Sequence, residues 1–336
     1  MSRWSIRDTS GSARPAAADH QGDAEPPVPA AAPPLRPNRG RRGPSLERHA
    51  GYVFMLPWVL GFFVLILGPL LTSLYLSFTD YRLLQDPNWI GFDNYVTMFT
   101  SDQRYRDSLR VTFIYVFVSV PLKLLCALAI ALALHAGLRG MGIYRAIFYV
   151  PSLLGGSVAI AILWRQVFGV EGVVNGVLGF AGFAPRNWIN SPDTALATLI
   201  VLAIWQFGAP MVIFIAGLNN IPGELYDAAA VDGAGAVRQL VHITLPLLTP
   251  IIFFNLLLEI IGAFQMFTSA FIVSGGRGGP LNSTLFYTLY LYQRGFANFE
   301  MGYASAMAWV LLLIIALFTA LLFKTAKSWV FYADTR

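Results

Sequence analysis

The sequence predicts an all-α polytopic membrane protein with six transmembrane helices and both termini cytoplasmic. Three observations carry that reading. Of 336 residues, 56% are hydrophobic and only 12% charged, with a mean hydropathy of +0.59, whereas a soluble globular domain carries about 25% charged residues. Six separate apolar runs each reach the roughly 20 residues a helix needs to cross a hydrocarbon core about 30 Å thick. The Lys and Arg residues, finally, fall unevenly on the two sides of those runs. The same figures argue against a soluble enzyme. They also exclude nucleic acid as a partner: the net charge of +5 and pI near 9.4 come mostly from residues flanking the apolar runs. One cysteine, Cys126, allows neither an intrachain disulfide nor a cysteine metal cluster.

Taken in chain order, residues 1–48 are a different material from the rest. Ala and Pro dominate from Ala16 to Pro37, and Arg36, Arg39, Arg41 and Arg42 form a basic run. Too little aromatic and branched apolar surface is present to offset the entropy of ordering, so a disordered tail is expected. It is not expected to be a cleaved leader, because the first apolar run begins only at Tyr52. The spans are expected at about 52–78, 109–135, 146–168, 195–218, 247–274 and 303–324, within a membrane domain covering 49–330. Prolines 57, 69, 121, 151, 210 and 250 lie in or near them, which bundled membrane helices tolerate. Fourteen of the 23 Lys and Arg residues fall on the side of the N-terminus and seven on the other, which places both termini in the cytoplasm. The outer loops 79–108 and 169–194 are long enough to form a contact surface, and Gly275–Gly279 before Pro280 marks a tight outer turn.

The segment 219–247, between the fourth and fifth spans, does not read as filler. Pro222 suits a first helical turn, Glu224 and Asp227 lie near its positive end, and Ala228, Ala229 and Ala230 favour helix with little bulk. Gly233 is free to take positive φ and end that helix. A second short amphipathic helix, with Val237, Leu240, Val241 and Leu245 on its apolar positions, is expected to lead to Pro246. Such a hairpin, tied to two spans, suits a groove of a partner protein; the plainer alternative is a hairpin that merely covers the bundle.

The spacing Asp227-Ala228-Ala229, then Gly233, then Ile243, Leu245 and Pro246 resembles the EAA motif of binding-protein-dependent ABC importer permeases, with Asp227 where the family has Glu. Trp89-Ile-Gly-Phe-Asp-Asn-Tyr95, Tyr144-Arg-Ala-Ile-Phe-Tyr-Val-Pro151 and Gly302-Tyr-Ala-Ser-Ala306 resemble the first-permease type of maltose-like and glycerol-phosphate-like systems. The likeness runs from about Tyr52 to Lys327. It implies a type I ABC importer permease that moves a sugar or oligosaccharide inward, or alternatively glycerol phosphate. The implied partners are a homologous second permease, two ATP-binding subunits, an extracytoplasmic solute-binding protein, membrane lipid and the carbohydrate itself. Glu224, Asp227, Ala228, Ala229, Asp232, Gly233, Ile243, Leu245 and Pro246 would form the coupling segment held by the ATPase. The chain has no G-x-x-x-x-G-K-[ST] loop, so ATP and Mg²⁺ are expected on that separate subunit and no cofactor on this one.

A sugar pathway calls for hydrogen-bonding side chains and flat aromatic faces near mid-membrane. Trp205 and Gln206 in the fourth span and Asn255, Glu259, Phe264, Gln265 and Ser269 in the fifth are the candidates, with helix–helix contact as the alternative for each. Glu259 is the sharpest, since a mid-span carboxylate is usually paired or cavity-facing; by charge, its partner would be Lys123 or Arg165. A polytopic membrane enzyme would need converging His or carboxylate groups, and the four His residues are scattered. A stand-alone secondary transporter would predict inverted repeats, and the two halves show no convincing one.

Overall fold

The computed structural model describes residues 46–135 and 141–331. The tail expected over 1–48 therefore lies outside the described residues up to 45, and 46–48 already belong to a helix. The chain divides into two units, Met1–Pro57 and Trp58–Arg336. Fifteen α-helices are described: α1 Leu46–Gly61, α2 Gly68–Leu76, α3 Asp93–Thr100, α4 Gln103–His135, α5 Met141–Leu154, α6 Val158–Val167, α7 Val173–Phe180, α8 Pro192–Trp205, α9 Gly208–Asn219, α10 Gly223–Val231, α11 Ala236–Gln239, α12 Leu245–Phe264, α13 Thr268–Val273, α14 Tyr287–Tyr292 and α15 Met301–Trp329. No strand occurs among the described residues.

Five of the apolar runs form helices long enough to cross a bilayer. The run expected as a third straight span, 146–168, instead becomes α5 and α6, bent by 100°. Gly155 and Gly156 open the bend and Ser157 starts the second piece, its hydroxyl accepting from the Ile160 amide at 3.3 Å. The hydropathy of the run is continuous, which hid the break. Counting the bent pair as one crossing gives the expected six.

Two π-helical turns accommodate two of the prolines within continuous spans. Phe62–Leu67 precedes Gly68-Pro69, and Leu240–Thr244 precedes Leu245-Pro246. A proline leaves the carbonyl one turn earlier without its partner, and a wider turn absorbs the mismatch without ending the helix. The second helix expected in the 219–247 loop is accordingly not separate: α11 continues through its π turn into α12.

The packing is that of a membrane bundle. α4 lies against α8, α9 and α12, and α5 crosses α9. Tyr105, Phe214, Phe264, Phe286 and Tyr287 are fully buried between helices. Outward-facing positions are apolar as well: Leu313, Leu317 and Leu321 make a stripe along α15, and Val64 and Leu65 stand exposed on the first span. In water such a surface would be a liability; in hydrocarbon it is the expected one.

Two of the short motifs are explained by one backbone segment, Ser77–Tyr81. The buried Asn94 donates to the carbonyls of Ser77 (2.9 Å) and Thr79 (2.8 Å), and the Gly302 amide donates to the Tyr81 carbonyl at 2.9 Å. A Cβ on Gly302 would fall 2.2 Å from the Thr79 oxygen, so only glycine fits there. The neighbouring Asp102 gathers this end of the bundle. Its Oδ2 accepts from the hydroxyls of Tyr290 and Tyr303, both at 2.6 Å, and from Arg294 at 3.1 Å, while Arg294 also pairs with Glu300 at 2.6 Å.

Burial pushes the Asp102 carboxyl up. The hydrogen bonds from Tyr290, Tyr303 and the Tyr105 amide and the charge of Arg294 outweigh it and hold the group below its ordinary value of 3.8. A depressed folded-state pKa adds stability that is present above 3.8 and lost as pH falls through the lowered value. Asp102→Asn is expected to cost about 1–3 kcal/mol at neutral pH. In detergent unfolding curves, its gap from the wild type should persist from neutrality into mild acid and close only below the ordinary carboxyl pKa.

Candidate functional site

Two places concentrate function-bearing side chains: the loop between α9 and α12, and a cavity between α4, α8 and α12.

In the loop, Pro222 occupies the N-cap of α10, with ψ 130°, one position before the first helical turn where the sequence suggested it. Glu224 follows in the first turn, where negative charge complements the helix dipole. The far end closes as a Schellman motif: the Ala234 amide donates to the Ala229 carbonyl at 2.9 Å and the Gly233 amide to the Ala230 carbonyl at 3.0 Å. Gly233 has φ +76°, as that closure requires. Gln239 donates to the Ala234 carbonyl at 3.1 Å, and the hydroxyls of Tyr226 and Thr244 meet at 2.9 Å. The hairpin is thus pinned to the start of the next span. Glu224, Asp227, Ala228, Asp232 and Gly233 are exposed, whereas Ala229, Ile243, Leu245 and Pro246 are half-buried against the hairpin and the helix that follows. Leu225, Val231 and Val237 are also exposed, Val231 to 88%. Tyr226, which ties α10 to the start of the next span, was missed by sequence reasoning because its partner lies eighteen residues on.

The cavity has a volume of about 390 Å³. Of the seven sequence candidates, Gln206, Glu259, Gln265 and Ser269 line it. The other three do not. Trp205 turns toward Trp164, ring centroids 5.9 Å apart. Phe264 is fully buried against Phe113 and Phe318. Asn255, one turn before Glu259, is 2% exposed, and its amide nitrogen has no partner among the described residues.

Glu259 does find a partner: Lys123 Nζ donates to its Oε2 at 2.8 Å, tying α4 to α12 at the cavity wall, with the two side chains 15% and 21% exposed. Arg165, the other charge considered, points away into the exposed surface of α6. Tyr115 and Ser119 complete the α4 wall with Lys123. Their spacing of four residues marks a single helical face and was a readable signal. Gly155 and Gly156 from the α5–α6 bend also line the cavity, and Gln206 Nε2 donates to the Gly155 carbonyl at 3.2 Å.

A bundle of bent apolar helices, a polar cavity beside the bends and a stiff exposed hairpin between two spans define a multi-pass permease component of a transport machine. Residues 53–326 match the family of the binding-protein-dependent transport system inner membrane component, and the chain belongs to that family. Its relatives include the probable ABC transporter permease protein YesP of Bacillus subtilis (strain 168), 54% identical over 284 residues, covering 84% of this chain and 92% of the relative. The arabinooligosaccharides transport system permease protein AraP of the same organism is 34% identical, covering 84% and 90%. The lactose transport system permease protein LacF of Rhizobium radiobacter is 32% identical, covering 84% and 97%. The fold matches a chain of a bacterial alginate ABC transporter crystallised with its alginate-bound periplasmic protein, with a TM-score of 0.72, 20% identity and coverage of 84% and 96%.

Because the Lys123–Glu259 pair is only partly exposed, removing one partner strands the other. Lys123→Met and Glu259→Leu are each expected to destabilise the purified protein by about 2 kcal/mol, and the double variant by less than their sum. Strict additivity in thermal unfolding would show that the two side chains do not act as a pair.

Proposed function

We propose that the chain is a permease half of an ATP-driven importer that passes a sugar or oligosaccharide through the cavity, driven by a separate ATPase that grips the 219–247 hairpin. The observation that carries this reading is the continuous helical path from α11 through its π turn into α12. That path joins the exposed hairpin directly to Glu259 and Gln265 at the cavity. Support for the cargo class comes from relatives whose names specify arabinooligosaccharides and lactose, and from the cavity's mixed lining, in which amides, hydroxyls and one compensated ion pair alternate with apolar side chains such as Leu202, Met266 and Phe267, a combination that suits the hydroxyls and C–H faces of a neutral sugar.

In this reading the hairpin side of the membrane is the cytoplasm, as the Lys and Arg distribution favours. α10 would seat in a cleft of the ATPase, with the apolar Leu225 and Val231 buried on docking and Glu224, Asp227 and Asp232 making polar contacts. A homologous second permease would complete the pathway, and a solute-binding protein would deliver cargo on the opposite face. ATP and Mg²⁺ would be held by the ATPase. The hairpin transmits work only if it binds the open and closed ATPase states with different free energies, since equal binding shifts no equilibrium. A rigid, Schellman-closed helix meets that requirement better than a floppy loop, because displacement of its tip cannot be absorbed before it reaches α9 and α12.

Two variants test the halves of the proposal separately. Gly233→Val forces a β-branched residue into positive φ, at a cost of roughly 1–2 kcal/mol, and opens the Schellman closure. ATPase co-purification and uptake should fall while membrane insertion stays normal; undiminished association would count against the coupling role. Gln265→Ala should leave ATPase association intact and raise the KM for sugar uptake about fivefold, the loss expected from one hydrogen bond of about 1 kcal/mol. An unchanged KM would remove Gln265 from the pathway.

A further inference from the structure

The segment joining α6 to α8 carries a surface that the transport reading leaves unused. α7 has no charged residue, and its one polar side chain turns inward. Asn175 is 5% exposed. Its Nδ2 donates to the carbonyls of Gly169 (3.1 Å), Val170 (2.9 Å) and Arg186 (2.8 Å), and its Oδ1 accepts from the Arg186 amide (3.1 Å) and the Trp188 indole (2.8 Å). Five bonds to one side chain fix how α7 is rolled about its axis.

That roll leaves Val173, Val177 and Phe180 on one stripe, at the spacing of a helical face. They are 67%, 62% and 95% exposed, and Val170 and Phe183 extend the stripe at both ends. α7 packs on α6, whose own Val158, Ile162 and Leu163 are exposed, so the stripe continues the outward apolar surface of a membrane-crossing element. Charge is confined to the flanks, at Glu171 and Arg186, and the Arg186 guanidinium lies 6.0 Å from the Trp188 ring centroid, the residue pair typical of a membrane–water boundary.

We propose that α7 is an interfacial helix, lying in the plane of the bilayer surface opposite the 219–247 hairpin, with Val173, Val177 and Phe180 in the boundary between lipid headgroups and acyl chains. A permanent lipid neighbour explains why the stripe lacks polar residues, whereas a soluble partner that docks and leaves would return it to water in every cycle. So placed, α7 fixes the depth of the α6–α8 connection and braces the bent α5–α6 pair while α9 and α12 move.

The test uses the full transporter complex in nanodiscs of phosphatidylethanolamine and phosphatidylglycerol, in a Cys126→Ala background. Nitroxide labels are placed singly at Val173→Cys, Val177→Cys and Phe180→Cys, with Asp86→Cys, in the exposed loop between α2 and α3, as the aqueous reference. Lipid burial predicts that accessibility to oxygen exceeds accessibility to a nickel chelate at all three sites, the reverse of position 86. Dominant nickel access would overturn the proposal in favour of water exposure. Exclusion of both reagents would overturn it in favour of coverage by the second permease. A loss of accessibility only on adding the solute-binding protein would assign the stripe to that partner instead. Three separately labelled sites keep the result readable if one variant fails to assemble.

Discussion

The structure depends on one constraint: a helix that breaks inside a membrane exposes backbone N–H and C=O groups that hydrocarbon cannot satisfy. Three breaks occur here, at 155–157, around Gln206 and at 265–267, and all three open onto the same cavity. Their freed groups are met locally. Gln206 donates to the Gly155 carbonyl, Ser157 caps α6, and the Thr288 hydroxyl donates to the Met266 carbonyl. The breaks and the cavity are therefore one feature. Irregular backbone is tolerated only where it lines a polar space, and the polar space exists because the helices break around it.

The Lys123–Glu259 pair belongs to the same arrangement. A lone carboxylate or ammonium at this depth would be costly; facing each other at 2.8 Å across α4 and α12, each supplies the counter-charge of the other. The pair also fixes the distance between a helix that packs at the centre of the bundle and the helix that reaches the hairpin. In the proposed cycle, a displacement of α12 relative to α4 would strain, turn or open this contact and so couple hairpin position to the cavity wall.

How far the sequence could reach follows from the range of each signal. The hairpin was legible because its determinants are local: Pro222, the alanines and Gly233 act within one or two turns, and the structure closes them as a Schellman motif. Span existence was legible from hydropathy, which is a sum over many residues. The bend at Gly155-Gly156-Ser157 was not, because hydropathy averages over it, and the continuity of α11 with α12 was not, because Pro246 normally signals an end and a π turn accommodates it. The cavity was half legible. Gln206, Glu259, Gln265 and Ser269 were found by polarity in an apolar run, but the same test drew in Asn255, and the search for flat aromatic faces drew in Trp205 and Phe264, none of which lines the cavity. Which face of a helix looks into a cavity is decided by its neighbours. Tyr115, Ser119 and Lys123 show the reverse case: a regular four-residue spacing that gains meaning only once α4 is seen against α12.

On the proposed reading of the cavity as the pathway, the chemistry of its wall bears on how cargo leaves as well as how it enters. A transport site must bind well enough to fill and weakly enough to empty. Here the two charges neutralise each other, the other polar groups are amides and hydroxyls whose net worth is about 1 kcal/mol apiece, and Val120, Leu202, Leu258, Met266 and Phe267 make the rest of the wall apolar. Such a wall would offer a sugar several exchangeable hydrogen bonds and no single strong one. Each could be replaced by water when the helices shift, so a modest movement of α12 would suffice to release what the wall holds. Tight discrimination among sugars is then better placed on a separate receptor than on the membrane pathway, which is the division of labour that a binding-protein-dependent family permits.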